Sequence, residues 1–228
     1  MASTNDTIEL FNLILNQNSF GELNADEIGK FINTAQIAKF KGFIEQIQGI
    51  DQRIQDALNP FYTNYVVQFN SLGVGSFPEN YVIHDNSRST LFINPDECGG
   101  VPVRQVNSIS VLKGNEVANV EGGRINKPRI DSPYIQFTGK YQIEIWPKSI
   151  QRASFNYYRM PADFYWGRTY DSVNQVYVYD PLDPLNQELE WYPIDQNSVI
   201  IMALKIAGVN IREAELIEAT KVLQEAKV

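Results

Sequence analysis

A double change of hydrophobic period constrains this chain more than any other feature. Up to Pro60 the apolar residues recur at helical spacing; from there they alternate or cluster as β-branched and aromatic runs; from Asp195 the helical spacing returns. Asp6 opens a D-x-x-E capping pattern that closes at Glu9, and Ile8, Phe11 and Leu15 follow at +3 and +4. Asn24 with Glu27 starts a second, longer helix. Its apolar positions form two stripes, Ile28/Phe31/Ile32/Ala35 and Ile37/Phe40/Ile44/Ile47. A short segment from Ile54 to Leu58 stops at Pro60, whose ring cannot continue a helix.

The middle of the chain reads as strands, at 65–69, 101–106, 108–112, 134–138, 141–146 and 150–159. Gly139-Lys140 is a two-residue hairpin signal, and Tyr141, Ile143 and Ile145 alternate with Gln142, Glu144 and Trp146, so one face is expected to be buried. Ala153, Phe155 and Tyr157 share a face in the same way. The Gly- and Asn-rich stretch 113–128 reads as a long excursion. An aromatic hairpin follows, from Asp163 to Tyr170 and from Val176 to Tyr179, closed by Asp180-Pro-Leu-Asp-Pro184. Asp195 is placed to cap a helix over 196–207, Gly208 to sit at its C′ position, and Asn210 with Glu213 to start a last helix to about Ala226. The expected fold is α+β: N- and C-terminal helices forming a helical bundle, with a central antiparallel β-rich insertion. One domain covers 1–228, helical at 1–60 and 195–228 and β-rich at 61–194.

Composition narrows the function. Hydrophobic residues make up 43% and charged residues 20%, a globular balance, and 19 basic against 27 acidic residues give a net charge of −8. A chain-wide basic groove for nucleic acid is therefore excluded. The one cysteine, Cys98, lies beside Asp96 and Glu97, which disfavour a thiolate, and the one histidine, His84, reads as structural or surface. Together they cannot supply a disulfide or a Cys/His zinc site. No apolar run approaches the ~20 residues of a membrane helix, and no basic-then-apolar leader opens the chain, so the reading is a soluble protein made without a secretion signal.

The sequence contains no G-x-G-x-x-G, G-x-x-x-x-G-K-[ST] or G-x-S-x-G, so neither a cofactor nor an enzymatic activity is expected. Asp180 and Asp183 offer few of the 6–8 oxygens that calcium takes. A glycan-cleaving enzyme would need a carboxylate pair such as Asp163 and Asp171. The strongest candidate surface is aromatic: Phe164, Tyr165, Trp166, Tyr170, Tyr177 and Tyr179 are of the residue types enriched at protein interfaces, with Trp166 as the candidate anchor. Arg124, Lys127 and Arg129, around Pro128, form a basic cluster suited to an acidic patch on a neighbouring copy. The same aromatic content also suits a β module that binds a glycan or a host receptor.

Glu22-Leu-Asn-Ala-Asp-Glu-Ile-Gly-Lys-Phe-Ile-Asn-Thr-Ala-Gln36, Ile54-Gln-Asp-Ala-Leu-Asn-Pro-Phe61 and Phe77-Pro-Glu-Asn-Tyr81 resemble segments of virion structural proteins of tailed phages infecting Bacteroidetes, crAss-like podoviruses included. The resemblance continues through Lys127-Pro128, Asp131-Ser-Pro-Tyr134, Ile145-Trp-Pro147, Tyr157-Tyr-Arg-Met-Pro161 and Ala207-Gly-Val-Asn-Ile211. It implies a neck or tail ring of the head-to-tail adaptor kind, closed by self-association, with twelvefold symmetry to match a portal. The partners it implies are further copies of the chain, the portal or adjoining tail ring proteins, and genomic DNA passing through without sequence recognition. It implies no membrane contact, and a location in the virion after synthesis in the host cytoplasm.

Overall fold

The computed structural model describes residues 4–17, 23–47, 51–93, 104–106, 109–112, 116, 127–130, 132–174 and 176–208. In chain order the elements are α1 (Thr4–Gln17), α2 (Ala25–Gln46), α3 (Gln52–Leu58) with a 3-10 turn at Asn59–Phe61, β1 (Tyr62–Gln68), β2 (Val74–Ser76), β3 (Tyr81–Ile93), β4 (Arg104–Val106), β5 (Ser110–Val111), β6 (Tyr134–Phe137), β7 (Gln142–Trp146), β8 (Ile150–Arg159), β9 (Arg168–Asp171), β10 (Val176–Tyr179) and α4 (Pro193–Ile206). They fall into two compact units, Met1–Pro60 with Pro161–Val228, and Phe61–Met160. No helix among the described residues is long and apolar enough to cross a membrane.

In the first unit, α2 begins as its sequence dictates. The Asn24 side chain accepts from the Glu27 N–H and the Glu27 carboxylate accepts from the Asn24 N–H, a complete capping box. Ile28, Ile32, Ala35 and Phe40 are buried, while Phe31, Ile37 and Ile44 are half-exposed. Helix α1 starts two residues ahead of Asp6, which lies in its first turn, and buries Ile8, Leu10, Phe11, Ile14 and Leu15. Helix α4 packs on α2 and α1 through Val199, Ile200, Ala203 and Leu204. It starts at Pro193, so Asp195 sits in the first turn rather than at the cap, and Gly208 follows its end with φ +92°. The expected last helix at 210–226 lies outside the described residues.

The second unit is two four-stranded sheets, ordered β1-β8-β3-β4 and β2-β7-β6-β5. Val67, Phe69, Phe77, Ile135, Ile143, Ile145, Ile150, Ala153 and Phe155 fill the core between them. The 143/145 and 153/155/157 alternations face inward as expected, although Trp146 and Ser154 are buried too. The 13-residue β3 is the element least visible in the sequence, and it has register shifts against β8 near Tyr81, Asp85 and Phe92.

The expected fold class does not hold beyond α+β. Among the described residues the strands form three sheets instead of one antiparallel insertion: β9 and β10 pair with each other, and β5 runs parallel to β6. The long excursion explains the parallel pair: residues 112–133 are enough chain to return to the sheet in the same direction, which a tight turn cannot do. Nor do the helices make an end-to-end bundle. Asn33, Gln36 and Lys39 lie at +3 spacing on α2 and are half-buried, fully buried and 8% exposed. A bundle seam would be apolar there; these polar groups instead hold the irregular segment after Pro161 and the start of α4.

Candidate subunit interface

The aromatic segment is built from the helix upward. Asn33 clamps the Phe164 backbone from both sides, its Oδ1 accepting from the Phe164 N–H (2.7 Å) and its Nδ2 donating to the Phe164 carbonyl (3.1 Å). Gln36 Nε2 donates to the Ala162 carbonyl (2.9 Å), and the Ala162 N–H donates to Glu190 (2.8 Å). The Phe164 ring is thereby buried, at 3% exposure. Trp166 is half-buried, stacked on Tyr179 at 6.1 Å, with Nε1 donating to Asn5 Oδ1 (3.4 Å). Thr4 Oγ1 hydrogen-bonds Asn186 Oδ1 (2.8 Å) and the Tyr179 hydroxyl (3.0 Å). Tyr165 exchanges backbone hydrogen bonds with Gln187.

The six aromatics therefore do not form one surface. Phe164, Trp166 and Tyr179 belong to the packing of their own unit, whereas Tyr170 and Tyr177 stand out at 54% and 58% exposure, edge to face at 5.2 Å. The Arg168 guanidinium lies 4.8 Å from the centre of the Tyr177 ring and pairs with Asp26 at 2.8 Å, so its charge is neutralised beside the tyrosines.

The loop after β10 adds what the sequence reading missed. Asp180 and Asp183 each begin an Asp-Pro-Leu triplet, and each carboxylate accepts the N–H of the leucine two residues on, at 2.9 Å. These turns push Leu182 and Leu185 outward, to 88% and 64% exposure. The loop is pinned to Gly167, whose N–H reaches Asn186 and where an added Cβ would stand 2.5 Å from the Asp180 carbonyl oxygen. The backbone N–H groups of Leu185 and Arg168 hold the Asp183 carboxyl below the usual carboxylate range. The segment reads from sequence as a loop rather than as ion ligands, and the available signal for its two outward leucines was the D-P-L triplet occurring twice in succession.

The remaining candidates do not come together. Lys127 and Arg129 are exposed, and Arg124 and Cys98 lie outside the described residues. His84 faces Phe137 at 5.2 Å and the Tyr81 hydroxyl at 3.4 Å. Asp171 is occupied with its own turn, accepting from Asn174 Nδ2 (2.7 Å) and the Val173 N–H (2.9 Å), which lowers its pKa. Among the described residues no three His, Cys, Asp or Glu side chains gather as metal ligands do.

The buried ion pair Lys39–Asp195 (2.8 Å) joins α2 to α4, with Ser198 as a further partner and the ammonium 4.7 Å from the centre of the Trp191 ring. Burial lowers the Lys39 pKa while Asp195 opposes the shift. Its role is to connect helices. Neither the protein-family models nor the curated proteins contain a match to this chain.

Proposed function

We propose that the chain is a non-enzymatic structural subunit that closes into a ring in the neck of a tailed phage, joining portal to tail around the DNA passage. The observation that carries the reading, beside the resemblance described above, is where the exposed apolar side chains fall. Most of those among the described residues lie between 170 and 194, including Tyr170, Val173, Tyr177, Leu182, Leu185 and Ile194. The loop that presents the two leucines is held rigid by backbone and side-chain hydrogen bonds, so ordering it at a contact costs little entropy. Apolar groups held rigidly in water are suited to a protein partner.

Light scattering and electron microscopy of the full chain, alone and mixed with the portal of the same phage, test the proposal. Closed rings support it. The second reading, a module binding a glycan or a host receptor, draws on the exposed Tyr170–Tyr177 pair. A chain that stays monomeric with the portal but binds glycans, with binding lost in Tyr177→Ala, would favour that reading.

A further inference from the structure

Among the described residues, the second unit has a sheet edge with no partner strand. There strand β1 is bonded on one side, to β8, in a register continuous from Tyr62↔Tyr158 to Gln68↔Arg152, with β2 against its last residues. The Phe69 N–H donates to the Gln151 carbonyl, which puts 63, 65 and 67 in the bonded positions and turns the backbone groups of Asn64 and Val66 away from the sheet. Native edges are blunted by charge, proline or bulges. This one, Tyr62-Thr-Asn-Tyr-Val-Val-Gln68, has no charged residue, no proline and no register shift, and Tyr65 and Val66 are 38% and 40% exposed. A groove of about 550 Å³ runs beside it, lined by Tyr65, Val66, Phe69, Val74 and other uncharged residues.

Among the described residues, a second edge without a partner strand lies on the ribbon. The Asp180 N–H donates to the Gly167 carbonyl, so the β9–β10 register turns the backbone groups of Tyr177 and Tyr179 outward. This edge is Val176-Tyr-Val-Tyr179, also without charge. The other described edges are charged or short: β4 carries Arg104, β9 carries Arg168 and Asp171, β2 has three residues and β5 two. Copies with a net charge of −8 repel, and they approach at least cost where no carboxylate is desolvated. Among the described edges of four residues or more, the two without a charged side chain are β1 and β10. They are different edges, so pairing one with the other is heterologous and propagates around an axis, whereas β1 with β1 would stop at a two-fold dimer.

We propose that the β10 edge of one copy adds to the β1 edge of the next, as a fifth strand on its sheet. The backbone supplies the hydrogen bonds, and the exposed tyrosines and valines of both edges cover the groove. That the contact repeats until it closes rests on the ring reading; that the two edges pair does not.

The test uses the full chain with Cys98→Ser, one batch carrying Val66→Cys and another Tyr177→Cys, treated with a short bis-maleimide singly and mixed, with the portal present. Strand addition predicts covalent dimers in the mixture and none in either batch alone. A second variant, Val66→Lys, leaves the β8 ladder intact because the Val66 N–H and carbonyl face away from it, and it should melt like the parent while losing association. Dimers in the Val66→Cys batch alone would overturn the proposal, as would closed rings without mixed dimers, which leave the ring reading standing. Mixed dimers without closed rings would keep the strand addition and overturn the ring. A chain that stays monomeric throughout overturns both.

Discussion

At the scale of single residues, one ion pair and one half-buried phenol give the sharpest expectations. Asp195 is the main counter-charge for Lys39, and their side chains are 16% and 7% exposed. Removing one member of a buried pair leaves the other charge without its partner, so Asp195→Ala and Lys39→Met should each cost about 3 kcal/mol in urea unfolding, while the double variant Lys39→Met/Asp195→Ala, which removes both charges, should cost far less than the sum of the two. Strictly additive costs would mean that the two side chains act through packing alone. Tyr81 stacks on Phe77 at 4.2 Å, and burial pushes its phenol up to about 12 from 10.0. A group whose folded pKa is raised contributes stability that is full below the unfolded pKa and is lost as pH rises through the folded one. The second unit should therefore weaken between pH 10 and 12, and Tyr81→Phe should reduce that loss; melting curves in this window check it.

At the scale of elements, what the sequence revealed and what it hid have separate causes. Asn24 and Glu27 specify their helix start because capping is local, and the inward faces of β7 and β8 show in the alternation of Ile143 with Ile145 and of Ala153, Phe155 and Tyr157. Of strand β3, Tyr81-Val-Ile-His-Asp85 reads as a strand running into a turn; its continuation to Ile93 was hidden because the segment does not alternate and the strand is held by β8 on one side and β4 on the other rather than by its own pattern. The clamp on Phe164 was hidden because Asn33 and Gln36 on a helix look like a solvated face until a non-helical backbone arrives to be satisfied. Leu204→Ala, removing a fully buried contact of α4, should cost roughly 2–5 kcal/mol by chemical denaturation. Leu182→Ser with Leu185→Ser should stay within about 0.5 kcal/mol of the parent, because neither side chain packs at home, yet should weaken association in sedimentation. A stability loss as large as that of Leu204→Ala would place the two leucines in their own unit's core.

At the scale of the whole molecule, a chain of net charge −8 has two described strand edges, β1 and β10, without a charged side chain, and a loop in which Asp180 and Asp183 are occupied in holding Leu182 and Leu185 in water. Copies of such a chain repel through their net charge and meet at least cost at uncharged edges. The proposed ring and its strand-addition contact build on that division. Cryo-electron microscopy of the intact phage tests this most directly: the account predicts a closed ring of this chain at the neck, with continuous main-chain density from β10 of each copy to β1 of the next. Finding the chain outside the neck, or in a ring whose neighbours meet through other surfaces with both edges bare, would contradict it.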